Sequence, residues 1–240
     1  MVEKQNETGA ECVLPIMEFY FEKKSNNKRI VGLNGDKNIQ LSGKEACVAS
    51  LNWSIHGFVL IKSDLLKAEF FPEDAFDSDE YITRKLFLKS NKVVFSDGVF
   101  FYRQDNLNAI TKTFGKKNFY VLNSSWKLYT LLKENNYDEN IIFNSQIGII
   151  HQYLDLYSIF KSFTFINEID KNDVHLFLKK YKNKHLVHDF LFYNLQYTLR
   201  HFKWKYLILI AVIKVGFLFK IFIKYKRTKL KKSNFKRSIS

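Results

Sequence analysis

The chain has 240 residues, a formal net charge of +14, and 46% hydrophobic and 17% aromatic side chains. That apolar content over this length supports a folded core and excludes a chain that is disordered throughout. The charge is uneven: residues 200–240 carry 13 Lys/Arg and no acid, and taking these from the total of 38 leaves 25 basic against 24 acidic side chains before them. A near-neutral body argues against nucleic-acid binding, where basic residues pattern the folded surface. The basic tail calls for a partner of its own, and an anionic membrane is the first candidate.

The two cysteines, Cys12 and Cys47, lie in apolar contexts without a Cys-x-x-Cys spacing. They read as buried, reduced thiols of a cytosolic protein. Residues 1–9 are polar and Pro15 interrupts the first apolar stretch, so no signal peptide is read there. The richness in Lys, Asn, Ile and Phe points to an AT-rich, bacterial genome.

Residues 11–21 read as a buried strand with a proline irregularity. Residues 28–33 read as a second strand, ended by the turn Asn34-Gly35-Asp36. Ser42 is placed to cap a helix over 43–51, with Glu45 completing a capping box. A short strand over 58–61 follows, and then a helix over 64–68 with Ser63 as its cap. Residues 69–80 form an acidic knot, six carboxylates in twelve residues, leading into a helix over 79–90. Negative charge is favoured at a helix start by the free N–H groups and the macrodipole. Strands over 92–95 and 99–102 are separated by Asp97-Gly98, a hairpin-type turn. Beyond about residue 114 the spacing turns helical: 116–135, 138–161, 171–182 and 185–200. His185 and His188 have the spacing of two metal ligands, but no third ligand is near in sequence.

Within residues 206–222 the only charges are Lys214 and Lys220. Seventeen residues is at the short end of a bilayer span. Lys203, Lys214, Lys220 and Lys224 share a helical face, which also holds Ile210, Phe217 and Ile221. An interfacial helix with snorkelling lysines and a short tilted span both fit, and Lys214 at mid-segment favours the in-plane mode. Trp204, Tyr206 and Tyr225 suit headgroup depth in either case. The competing reading is a buried terminal helix.

One stretch carries a resemblance. Its pieces are Ile55-His56-Gly57-Phe58-Val59-Leu60-Ile61-Lys62-Ser63-Asp64-Leu65-Leu66, then Phe71-Pro72-Glu73, then Ser78-Asp79-Glu80-Tyr81-Ile82-Thr83-Arg84. They continue with Lys92-Val93-Val94-Phe95 and with Phe101-Tyr102-Arg103-Gln104 followed by Asn108-Ala109-Ile110-Thr111. In order and spacing this resembles the acceptor-side half of a family 2 glycosyltransferase, the inverting class built on a Rossmann-like nucleotide-sugar fold. The resemblance covers residues 8–113. It implies that Asp79 is the base that deprotonates an acceptor hydroxyl, which then displaces the nucleotide in one step. The residue before the family's aspartate is usually Glu and here is Ser78. By the same resemblance His56 and Glu80 line the acceptor site and Arg103 faces the donor diphosphate; the competing readings are a satisfied structural histidine for His56 and a surface salt bridge for Arg103. Without it, Asp77 or Ser78 reads as a helix cap and Asp79 and Glu80 as dipole-favouring acids.

The departure from the family is large. The donor-binding half, with the Asp-x-Asp that holds Mg²⁺ or Mn²⁺ and the diphosphate, does not precede this segment, so no cofactor is expected in this chain itself. Glu7-Thr8-Gly9-Ala10-Glu11-Cys12-Val13-Leu14 resembles the stretch just after that motif. The expectation is therefore the C-terminal part of a Rossmann-like α/β sheet over 1–114, a helical region over 115–200, a membrane-associated helix over 201–225 and a basic tail over 226–240. Half a parallel sheet leaves the strand over 11–21 without its neighbours. The expected partners are a nucleotide sugar, a glycan or lipid-linked acceptor, an anionic membrane through residues 201–237 and a separate donor-binding chain, at the cytoplasmic face of the cell membrane. The alternative is a non-catalytic membrane-associated interaction protein or subunit.

Overall fold

The computed structural model describes residues 1–22, 28–67, 69–106, 109, 114–163, 168–189, 197, 199–200 and 204–237. The protein is mixed α/β and forms two compact units, Met1–Phe114 and Gly115–Ser240.

The first unit is built on β1 (Cys12–Tyr20), whose residues from Cys12 to Pro15 are buried, as are Met17 and Glu18. β1 is preceded by α1 (Val2–Thr8), which ends at Gly9 in a left-handed conformation, φ 67°. β1 has neighbours on both edges, contrary to the expectation of a stranded half-sheet. β4 (Val93–Arg103) runs parallel to it over its whole length. The short strands β2 (Arg29–Ile30) and β3 (Leu60–Ile61) pair antiparallel with its last and first residues. These two local returns of the chain pair with Met17 and Glu18 and with Cys12 and Val13 on the second edge. The buried Glu18 is neutralised by Arg29, 2.6 Å away.

Asp97-Gly98 does not make a hairpin. Leu14 pairs with Phe95 and Ile16 with Val99, so one residue of β1, Pro15, faces three of β4, Ser96, Asp97 and Gly98. Proline has no N–H to give to the ladder, and β4 bulges past it as one continuous strand. The Asn34-Gly35 turn forms as read. Leu33 and Asp36 exchange both backbone hydrogen bonds at 3.0 and 3.1 Å, and φ is positive at Asn34 (55°) and Gly35 (93°), the signature of a type I′ turn.

α2 (Gly43–Leu51) carries the full Ser42–Glu45 capping box. α3 (Ser63–Leu66) is a single turn whose N-cap position is Lys62, not Ser63. α4 (Ser78–Lys89) follows the acidic knot and packs on α2. The approach is so close that a Cβ on Gly43 would stand 1.9 Å from the Phe87 carbonyl oxygen. Cys12 and Cys47 are both buried free thiols, and burial pushes Cys12 up to about 11.

The second unit is helical among its described residues. A 3₁₀ turn, Lys116–Tyr120, leads into α5 (Val121–Glu134), followed by α6 (Glu139–Phe160) and α7 (Glu168–Tyr181). α6 is the hub. Phe143, Ile149, Ile150, Tyr153 and Leu154 are buried along it, and the fully buried Gln146 donates to Tyr129 Oη at 2.7 Å. A π-helical segment, Lys182–Asp189, extends α7. Half of the helix expected over 185–200, residues 190–196 and 198, lies outside the described residues. The apolar segment near the end of the chain divides at Val215 into α8 (Trp204–Lys214) and α9 (Gly216–Arg237). Among the described residues no helix is long and apolar enough to cross a membrane.

Candidate functional site

The candidate site is the start of α4. Its entry residue, Asp77, has φ 58° and ψ 38°, the left-handed region that Asp and Asn tolerate better than other non-glycine residues. The Asp77 side chain makes no capping hydrogen bond. Burial, and then the charges of Asp79 and Glu80, push its pKa up. The turn it makes points the first-turn acids out of the protein body: Asp79 is exposed and Glu80 is half-exposed.

These two acids are not equivalent. Glu80 is ion-paired with Arg84 one turn on. Arg84 is buried, and its guanidinium also donates to the Glu80 carbonyl at 2.7 Å and to the Ser50 carbonyl at the end of α2 at 2.8 Å. Glu80 is thereby committed to the α2–α4 junction. No hydrogen bond or ion pair among the described residues engages the Asp79 carboxylate. With Glu73 it is one of two exposed carboxylates of the knot that no such contact engages, and of these two it is the one on the first turn of α4.

The knot itself is strapped down at its beginning. The Glu69 side chain is buried and bound by Lys85 at 2.7 Å and by Lys89, both on α4. Burial alone would raise its pKa, but the two ammonium partners outweigh that and hold the carboxyl below its usual range. Between this anchor and Asp77 the loop exposes Phe70 and Phe71. Across from it, Ser50 accepts a further, longer bond from the Trp53 amide at 3.4 Å. Trp53 is half-exposed with φ 62°. The segment then turns along α4, where a Cβ on Gly57 would touch Thr83 Cγ2 at 3.4 Å.

The other residues singled out in the sequence have different settings. His56 is 3% exposed, and its Nε2 lies 2.7 Å from the Pro15 carbonyl oxygen. Burial, partly offset by that bond, lowers its pKa. Its contact is with the strand irregularity at Pro15, where ladder pairing is interrupted. Arg103 is exposed at the end of β4 and pairs with Glu22 and Asp105, each at 2.9 Å; neither belongs to α4 or its entry loop. His185 packs against Trp126, ring centroids 3.9 Å apart and planes tilted by 37°. A cavity of about 290 Å³ between α1 and the β4 bulge is lined by Met1, Lys4, Lys37 and Asp97, and none of the designated residues lines it. No group of three metal-ligating side chains occurs among the described residues.

No role is read from the sequence for Arg84, Lys85 or Lys89. The i to i+4 spacing of Glu80 and Arg84 was the available sign. Gly43, placed directly after a strong N-cap where a better helix former is expected, was the sign of the close α2–α4 approach. In comparisons with known proteins, no family model and no curated protein matches this chain.

Proposed function

We propose that this chain is the acceptor-side part of an inverting, Rossmann-like sugar transferase, with Asp79 as the general base for a hydroxyl of a glycan or lipid-linked acceptor. The observation that carries this reading is the division of labour at the α4 start. Glu80 is tied to Arg84, whereas Asp79 is exposed and unengaged among the described residues. A hydroxyl has too high a pKa to attack an anomeric carbon unaided, and a base must reach it directly. An exposed carboxylate on a turn fixed from below by Arg84 and Glu69 meets that need. The nucleotide sugar and its Mg²⁺ or Mn²⁺ are assigned to a donor-binding part outside these 240 residues.

The test co-expresses the full chain with the protein encoded immediately upstream. It follows transfer from labelled UDP-, GDP- and dTDP-sugars to extracted membrane lipids and polysaccharide. Transfer is expected, and Asp79→Asn is expected to slow it by about 10²–10⁴-fold, the usual contribution of general base catalysis. Transfer at an unchanged rate with Asp79→Asn removes the assignment. A second reading, a non-catalytic membrane-associated interaction protein or subunit, draws on one observation: Asp77-Ser78-Asp79 is the sole Asp-x-Asp in the sequence, and the first reading already uses its Asp79 as the base. Absence of transfer with any donor in the co-expressed pair supports that reading.

A further inference from the structure

The pair α8–α9 is two-faced. Leu209, Val212, Ile213, Phe219 and Ile223 are buried. α9 packs on α6, and Lys226 is ion-paired with Asp155 of that helix. Lys182 lies over the Phe219 ring, 4.3 Å from its centroid. These contacts fix which side of α9 turns inward. The opposite side is not polar. Ile208, Ala211, Val215, Leu218, Phe222 and Tyr225 follow one another at alternating steps of three and four residues. That is one continuous helical stripe, and it crosses the bend because Val215 and Phe219 keep their i to i−4 hydrogen bonds, both 2.9 Å. Ile208 is 67% exposed, Val215 47% and Tyr225 63%, and Ile221 beside the stripe is 50% exposed. Lys214, Lys220 and Lys224 are exposed on the same helices.

We infer that this outward face of α8–α9 lies in the plane of an anionic lipid bilayer, its apolar stripe in the acyl boundary and its lysines at the headgroups. An apolar face with basic flanks is the composition of interfacial helices. Lys214 and Lys220 interrupt the apolar run across the pair, which fits a helix lying in the bilayer plane better than one crossing it. The charge pattern decides against a second copy of the chain as the occupant. A helix seam between copies is stabilised by opposite charges flanking the apolar stripe. Residues 200–240 contain no acid, so two copies would bring their lysines together unneutralised, whereas phospholipid headgroups supply the counter-charge. The inference is independent of the transferase reading and concerns a different unit of the chain.

Flotation of the full chain with vesicles tests it. Vesicles of phosphatidylcholine with roughly a third phosphatidylserine are expected to carry the protein up the gradient, and phosphatidylcholine alone to carry much less. Leu218→Ser/Ile221→Ser/Tyr225→Ser is expected to lower partitioning more than tenfold, with the circular dichroism spectrum unchanged because the three side chains are exposed. Lys214→Gln/Lys220→Gln/Lys224→Gln is expected to lower it about a hundredfold, near fivefold per lysine, and to flatten its salt dependence. Failure to float, equal binding to neutral vesicles, or undiminished binding by both triple variants overturns the inference. So does a dimer in sedimentation analysis that the apolar triple variant converts to a monomer.

Discussion

Arg84 is the residue on which the α4 start depends, and its replacement by Met keeps the aliphatic stem while removing the guanidinium. Three bonds go with it: one to the Ser50 carbonyl at 2.8 Å, one to the Glu80 carbonyl at 2.7 Å and the ion pair with the Glu80 carboxylate. They differ in worth. The Glu80 side chain is 42% exposed and rehydrates when its partner is lost, so the ion pair contributes about 0.5–1 kcal/mol. The Ser50 residue is 3% exposed, and its carbonyl would keep two bonds from its own chain neighbours, from the Asn52 amide and, at 3.4 Å, from the Trp53 amide. A hydrogen bond from a charged donor contributes about 1.5–3 kcal/mol, and relief from burying the guanidinium offsets part of the total. The net cost of Arg84→Met is about 2–3 kcal/mol, and that of Glu80→Gln about 1 kcal/mol. Hydrogen exchange of the α2 and α4 amides in the full chain reads this locally. Arg84→Met should speed exchange in both helices by roughly 30–150-fold, and Glu80→Gln by roughly fivefold. Equal effects of the two substitutions, or an α2 untouched by Arg84→Met, would refute the argument that the Ser50 bond is the main tie. The result also bears on function, because a Glu80→Gln protein with α4 intact allows any loss of transfer to be ascribed to the acceptor site.

Two further outcomes follow from the same junction. Gly43→Ala sets a methyl 1.9 Å from the Phe87 carbonyl oxygen and 2.4 Å from that of Ser90, so α2 and α4 must separate. Although Ala is the better helix former, a cost of about 3 kcal/mol is expected, and an unchanged melting temperature would contradict the close approach. Glu69, whose folded pKa is depressed, stabilises the fold above its unfolded pKa of about 4.3 and loses that contribution as pH falls through the lower folded value. Glu69→Gln should therefore melt below the parent at pH 7, with the gap closing as acid protonates the carboxyl, and a gap that does not narrow in acid would place the stabilisation elsewhere.

Much of this was legible where the deciding chemistry is local. Ser42 and Glu45 satisfy each other's neighbourhood within four residues, and the capping box is visible in the chain as written. Asn34-Gly35 supplies two residues tolerant of positive φ in succession, so its turn is set before anything packs on it. Asp97-Gly98 looks just as much like a turn and is not one. What settles it is Pro15, 82 positions earlier, which lies opposite the dipeptide only once β1 and β4 have paired. The acidic knot was plain in composition, but its six carboxylates cannot be ranked by sequence. Burial gives Glu69 two lysines and Glu80 a buried arginine, and leaves Asp79 exposed.

By itself the sequence determined the elements whose chemistry is closed within a few residues, the apolar content that supports a core and the all-basic character of residues 200–240. Only the tertiary structure decided which acid is committed and which is open, why a turn-like dipeptide lies inside a strand, and which face of α8–α9 is turned outward. The reason is common to all three. Each depends on which group arrives from a distant part of the chain to satisfy a charge, a carbonyl or an apolar face, and no periodicity or local propensity encodes that arrival.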